Sequence, residues 1–99
     1  MQAPVVTVIT VVFNGEQFIE RTLRSVQAQR GVALEHLIID GASKDGTLTI
    51  VDRMKNATTV VVSERDRGIY DAMNKGLAEA SGTFVIFMNA GDEFARWNK

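Results

Sequence analysis

The chain has 99 residues, 45% of them hydrophobic and 23% charged, with a formal net charge of −1. That length holds at most one small domain, and the composition is ordinary for a folded soluble protein. No basic stripe marks a nucleic-acid surface, and the absence of cysteine excludes disulfides and thiolate metal sites.

Within the apolar run Val5–Phe13, Thr7–Phe13 is β-branched and aromatic almost throughout and predicts a strand buried on both faces, as inside a parallel sheet. Asn14-Gly15 then punctuates the chain, with Asn14 expected as an N-cap and Gln17 as its capping-box partner. Phe18, Ile19, Thr22, Leu23 and Val26 form a helical apolar stripe that Gly31 ends. A second strand, 34–39, leads into the loop Asp40-Gly41-Ala42-Ser43-Lys44-Asp45-Gly46-Thr47. His36 precedes an apolar run and is expected to be structural. A short helix carries Leu48, Val51 and Met54 inward, and Asn56-Ala57 turns the chain into a third strand, 59–63. Ile69, Met73, Leu77 and Ala80 predict a third helix from about Gly68, supported by Asp71 and Lys75 one turn apart. Ser81-Gly82 stops it, and 83–88 is the fourth strand. The order β-α-β-α-β-α-β predicts an α/β fold, a mostly parallel four-stranded sheet with helices on both faces. No apolar run approaches the roughly 20 residues that span a bilayer. No cationic region precedes Val8–Phe13, so it is not read as a signal peptide. The cytoplasm is the default compartment, with attachment at the inner face of the membrane left open.

Each strand ends in a polar cluster: Asn14, Asp40, Ser63-Glu64-Arg65-Asp66 and Asn89-Ala90-Gly91-Asp92. In a parallel sheet all four fall on one edge, where open α/β sheets bind ligands. Asp92 and its neighbours suit a hard divalent cation, which one or two carboxylates hold while substrate phosphates and water complete the shell. A solvated turn is the alternative. A carboxylate at Asp40 suits a nucleobase imide or ribose hydroxyl, or equally a turn cap. Asp45-Gly46-Thr47 reads as a structural cap. Arg65 or Arg67 before a helix N-terminus suits phosphate, against a loop of mutually screened charges. The phenylalanines and methionines sit mostly at core spacing and receive no cofactor role. P-loop and dinucleotide signatures are missing, and one histidine without cysteine supports no nucleophilic triad.

Val8-Ile9-Thr10-Val11-Val12-Phe13-Asn14, the loop 40–47, the run Ser63-Glu64-Arg65-Asp66-Arg67-Gly68-Ile69-Tyr70-Asp71-Ala72-Met73-Asn74-Lys75-Gly76 and Phe87-Met88-Asn89-Ala90-Gly91-Asp92 resemble the family 2 glycosyltransferases. The run from Gly68 to Gly76 is especially similar to bacterial colanic-acid and capsule transferases. The resemblance implies a GT-A fold with a Rossmann-like nucleotide-binding half and an inverting, metal-dependent reaction using Mg²⁺ or Mn²⁺. It implies that Val12, Asn14, Glu16, Asp40, Asp66, Asn74 and Lys75 line the site of a UDP- or GDP-type nucleotide sugar, and that Asp92 ligates the metal. It departs from the family twice. The second acid of the Asp-Asp-Gly-Ser loop is Gly41 here, and the Asp-x-Asp-type motif keeps only Asp92. The chain is expected to be the N-terminal, donor-binding part of a truncated domain, with the catalytic base and the site for a saccharide or lipid-linked acceptor beyond Lys99. Alone it is expected to be weakly active or inactive, and to associate through uncovered apolar surface. The alternative is a non-catalytic α/β module, receiver-like or nucleotide-binding.

Overall fold

The computed structural model describes residues 4–29 and 31–91; the expected metal ligand Asp92 lies outside them. Seven elements follow in the predicted order: β1 (Val6–Val12), α1 (Ile19–Gln27), β2 (Leu34–Asp40), α2 (Thr47–Met54), β3 (Thr59–Ser63), α3 (Ile69–Glu79) and β4 (Phe84–Asn89). The four strands form one sheet in the order β3-β2-β1-β4, and every pair is parallel. The chain steps outward from β1 to β3, then α3 carries it back past β1 to β4. α1 packs on α2, and α3 packs on β1 and β2. This is the Rossmann-type order. Receiver domains run 2-1-3, so the receiver-like alternative does not match this sheet.

Strand alternation divides the core between the two faces. Val12 and Ile38 meet Ile19 and Leu23 of α1 and Val51 of α2, while Val8 meets Val26. On the other face Ile9, Leu37 and Ile39 pack with Ala72 of α3. α3 comes close because residue 76 has no side chain: a Cβ there would lie 2.5 Å from Ile9 Cγ2. His36 is buried as expected, its Nε2 2.7 Å from Thr10 Oγ1.

One expectation fails at the start of α1. Asn14 does not cap it; Phe18 occupies the cap position and provides no side-chain bond. Asn14 instead takes a left-handed conformation, φ 50°, and its Oδ1 accepts the Lys44 N–H at 2.8 Å. That bond to the neighbouring loop removes the side chain from the helix, and a turn closed by Phe18 N–H to Gly15 O leads into it.

Candidate functional site

Parallel register brings the strand ends to one edge. Val12 stands opposite Asp40, Asp40 opposite Ser63, and Val11 opposite Asn89. The chain leaves β1 toward β2 on one side, while β4 sits on the other, so the crevice above β1 and β4 is the topological switch point. A pocket of about 310 Å³ occupies it, lined by Val11, Val12 and Phe13 of the β1 end, Asp66, Gly68, Ile69 and Ala72, and Asn89.

The loops after β1 and β2 are bound into one unit. Asn14 N–H donates to Ser43 Oγ at 2.8 Å and Gly15 N–H to Thr47 Oγ1 at 2.9 Å. Glu16 N–H donates to Asp45 Oδ2 at 3.1 Å, and Glu16 Oε1 accepts the Gly46 N–H at 2.7 Å. Burial works to raise the Asp45 carboxyl. Hydrogen bonds from the Thr47 hydroxyl and the Thr47 and Glu16 N–H groups outweigh it and hold the carboxyl below its usual range. Asp45 thus closes the turn that leads into α2, a structural role as its sequence context indicates, while the cap position itself is Gly46.

Asp40 is fully buried. Its Oδ2 accepts the Ser43 N–H and the Ser63 hydroxyl, both at 2.8 Å, and its Oδ1 accepts the Ser43 hydroxyl. It has the parity of Ile38 and Val12, the residues that face α1 and α2. Asp40 is not among the residues that line the pocket, although Val12 of the same parity is.

Asp66 is placed differently. Its Oδ1 accepts the Gly68 N–H at 3.1 Å. Its Oδ2 lies where residue 41 has no side chain: a Cβ there would sit 2.8 Å from Oδ2 and 3.5 Å from Phe13 Cδ1. Lys75 ties the β3–α3 loop to α3. Its Nζ donates to Arg65 O at 2.6 Å and stands 3.7 Å from Asp71 Oδ2 and 3.8 Å from Glu64 Oε1. Asp71 Oδ2 also accepts the Arg67 N–H at 2.8 Å. Arg65, Arg67 and Asn74 are exposed.

Of the residues expected at a nucleotide site, Val12 and Asp66 therefore meet in the pocket. Asn14 and Glu16 knit the neighbouring loops, Asp40 is buried and braces the β2 end against Ser43 and Ser63, Asn74 is exposed on α3, and Lys75 holds a loop. Phe13, read from spacing as a core residue, is 64% exposed and lines the pocket. Its place as the last apolar residue of the β1 run, past the strand's final ladder pair, is the signal that marks it. Among the described residues no group of three or more metal-ligating side chains is gathered, and no helix is long and apolar enough to cross a membrane.

An uncharacterized glycosyltransferase of Mycobacterium tuberculosis is 42% identical to this chain over 94 residues, 94% of this chain and 36% of that protein. TuaG of Bacillus subtilis, named as a putative teichuronic acid biosynthesis glycosyltransferase, is 35% identical over 97% of this chain and 38% of its own length. The chain thus spans just over a third of these relatives. Among solved structures, a mannosyltransferase of Pyrobaculum calidifontis in complex with GDP-Man and Mn²⁺ superposes with a TM-score of 0.86 at 30% identity, over 97% of this chain and 30% of that one. Staphylococcus aureus TarS in complex with UDP-GlcNAc gives 0.84 at 29% identity, over 90% and 27%. The sequence profile of glycosyl transferase family 2 matches residues 7–97, nearly the whole chain, and the chain belongs to that family.

Proposed function

We propose that this chain forms the donor-binding part of an inverting glycosyltransferase. In this reading the enzyme moves a sugar from a UDP- or GDP-type nucleotide sugar to an acceptor hydroxyl during polysaccharide assembly. The observation that carries the reading is the pocket at the β1–β4 switch point, walled by Val12, Phe13 and Asp66. The family assignment supports the reaction class, and similarity to proteins solved with GDP-Man and with UDP-GlcNAc supports the donor class. TuaG's name supports the polysaccharide setting.

In an inverting transfer a base takes the acceptor's proton, the freed oxygen attacks the anomeric carbon, and the nucleoside diphosphate leaves. We assign the base to none of the described residues. The loops around Asn14–Glu16 and Ser43–Thr47, locked together by their hydrogen bonds, hold the β1 end in place, and the pocket walls orient the nucleotide. The carboxyl end of β4 stands at the pocket rim through Asn89. This sparse set of oxygen donors fits a cation held largely by the diphosphate itself, with Asp92 as the protein carboxylate. When bound, Mg²⁺ or Mn²⁺ supplies charge stabilisation for the departing diphosphate. The neighbour solved with Mn²⁺ supports that choice.

Calorimetry with UDP and GDP, each with Mg²⁺ and with Mn²⁺, tests the reading. Metal-strengthened binding of at least one nucleotide is expected. Folded protein that binds neither, with either metal, overturns it.

A further inference from the structure

We propose that Thr22, a buried hydroxyl in the middle of α1, is a positioning residue for the metal site: it holds the Gly91 N–H and so fixes the backbone from which the next residue in the chain, Asp92, offers its carboxylate. The inference rests on the donor-nucleotide reading above and adds to it a residue outside the pocket lining.

Packing alone does not call for threonine here. Thr22 belongs to the buried stripe of α1 with Ile19, Leu23 and Val26, and it is fully buried. Threonine is a poor residue for a helix interior, and a buried hydroxyl is costly unless it is bonded. The hydroxyl has a task across the fold instead. Its Oγ1 accepts the Gly91 N–H at 2.8 Å, from 69 positions away.

That bond completes the grip on the two residues between the pocket wall and Asp92. Asn89 ends β4 and lines the pocket. The Ala90 N–H donates to Val11 O at 3.3 Å, and Ala90 packs against the cluster of Val12, Ile19 and Leu23. The loop after β1 stands beside it, since a Cβ at Gly15 would lie 3.3 Å from Ala90 Cβ. At Gly91 the chain turns away from β1, with φ 101°, a conformation that favours glycine. A Cβ at 91 would sit 3.4 Å from Phe18 Cβ. The support from β1 ends at Ala90, and the Thr22 hydroxyl of α1 receives the next N–H.

The sparse donor set makes this placement matter. A cation held largely by a diphosphate, with one protein carboxylate, gains most from that carboxylate when its backbone is already fixed, because no ordering cost falls on binding. Groups that orient a ligand without touching the metal typically change metal affinity by about 10–100-fold. Linkage adds a second consequence. If the Thr22–Gly91 bond favours metal binding, the bound metal must favour that bond by the same factor.

The test is calorimetry with UDP and GDP, with and without Mn²⁺, on wild-type protein, Thr22→Val and Thr22→Ser. Wild type is expected to bind at least one nucleotide more tightly with the metal. Thr22→Val exchanges the hydroxyl for a methyl group of similar size. It is expected to lose about tenfold or more of the metal strengthening and to keep its metal-free nucleotide affinity. Thr22→Ser retains the hydroxyl and should retain the strengthening. In wild-type protein the Gly91 amide is expected to exchange more slowly with nucleotide and Mg²⁺ than with nucleotide alone. A folded Thr22→Val protein that keeps the full strengthening overturns the inference. So does one that loses metal-free and metal-bound affinity alike, which marks a purely structural role, and so does a Thr22→Ser protein that behaves like Thr22→Val. Wild-type protein that binds nucleotide without metal strengthening overturns the inference and leaves the nucleotide site standing, whereas failure to bind any nucleotide overturns both. The exchange measurement needs no variant, so if Thr22→Val does not fold, a Gly91 rate unchanged by metal still overturns the inference.

Discussion

Three donors converge on the carboxylate of Asp40, and one on that of Asp66. Substitution should separate their roles. Asp40→Asn turns one acceptor into a donor that faces Ser43 or Ser63, leaving buried polar groups unpaired. A loss of about 2 kcal/mol is expected in urea melts. Asp66→Asn keeps an oxygen for the Gly68 N–H and should stay within about 1 kcal/mol of wild type. Equal losses for the two variants would refute the division. His36 makes a prediction about pH. Burial lowers its pKa from 6.5 to about 4. The folded protein therefore keeps the ring neutral where the unfolded chain protonates it. This stabilisation is fully present above pH 6.5 and is lost as pH falls toward 4, over a span of about 3 kcal/mol. Nδ1 has no hydrogen-bond partner among the described residues, so the neutral ring is tolerated at some cost. His36→Gln should flatten the slope of stability between pH 4 and 6.5; an unchanged slope would place the proton elsewhere.

At the level of elements, α3 shows packing overriding propensity. Glycine in a helix interior costs up to about 1 kcal/mol relative to alanine, yet Gly76 sits at the middle of α3. Ile9 requires it: an added Cβ would meet Cγ2 at 2.5 Å, Cδ1 at 3.0 Å and Cγ1 at 3.3 Å. Gly76→Ala is expected to lower stability by about 1–3 kcal/mol despite its better propensity. Ile9→Ala removes all three contacted atoms. The double variant should therefore be more stable than the sum of the two single losses predicts. Additive losses would show that the contact does not limit how closely α3 approaches the sheet. The elements were largely legible in the chain because β-branched runs and helical apolar spacing are local signals. Their order followed from right-handed crossovers, and with it the single edge that gathers the strand ends. The pairing of Gly41 with Asp66 was not legible, since the contact joins positions 25 apart that meet only after β3 docks on β2. The role of Asn14 was hidden for the same reason. Its Asn-Gly context suits a helix cap, and only the loop after β2 supplies the Lys44 N–H that claims its side chain.

The whole molecule is unevenly covered. α1 and α2 shield one face and α3 the other over β1 and β2, while among the described residues β4 stands at the sheet edge with only β1 beside it. Phe84 is 63% exposed, Phe87 41% and Ile86 39%. Register puts Phe84 and Ile86 on the face shared with Val8, and Phe87 on the face shared with Ile9, so β4 exposes apolar side chains on both faces, although Met88 is buried against Val8 and Val26 and Val85 packs beside Ile9. Parallel strands are ordinarily covered on both faces, and an apolar edge strand is a template for further pairing. In relatives more than twice as long, additional chain is available to cover such a strand. For these 99 residues we propose a second copy as the cover, its β4 edge meeting this one. Light scattering across a concentration series should show mass rising above that of one chain. Ile86→Lys places a charge on the bare edge without touching the pocket lining, and should return the mass to one chain while leaving nucleotide affinity unchanged. A wild-type protein that stays strictly monomeric at high concentration would refute association through β4, and an Ile86→Lys protein that still associates would move the contact to another surface.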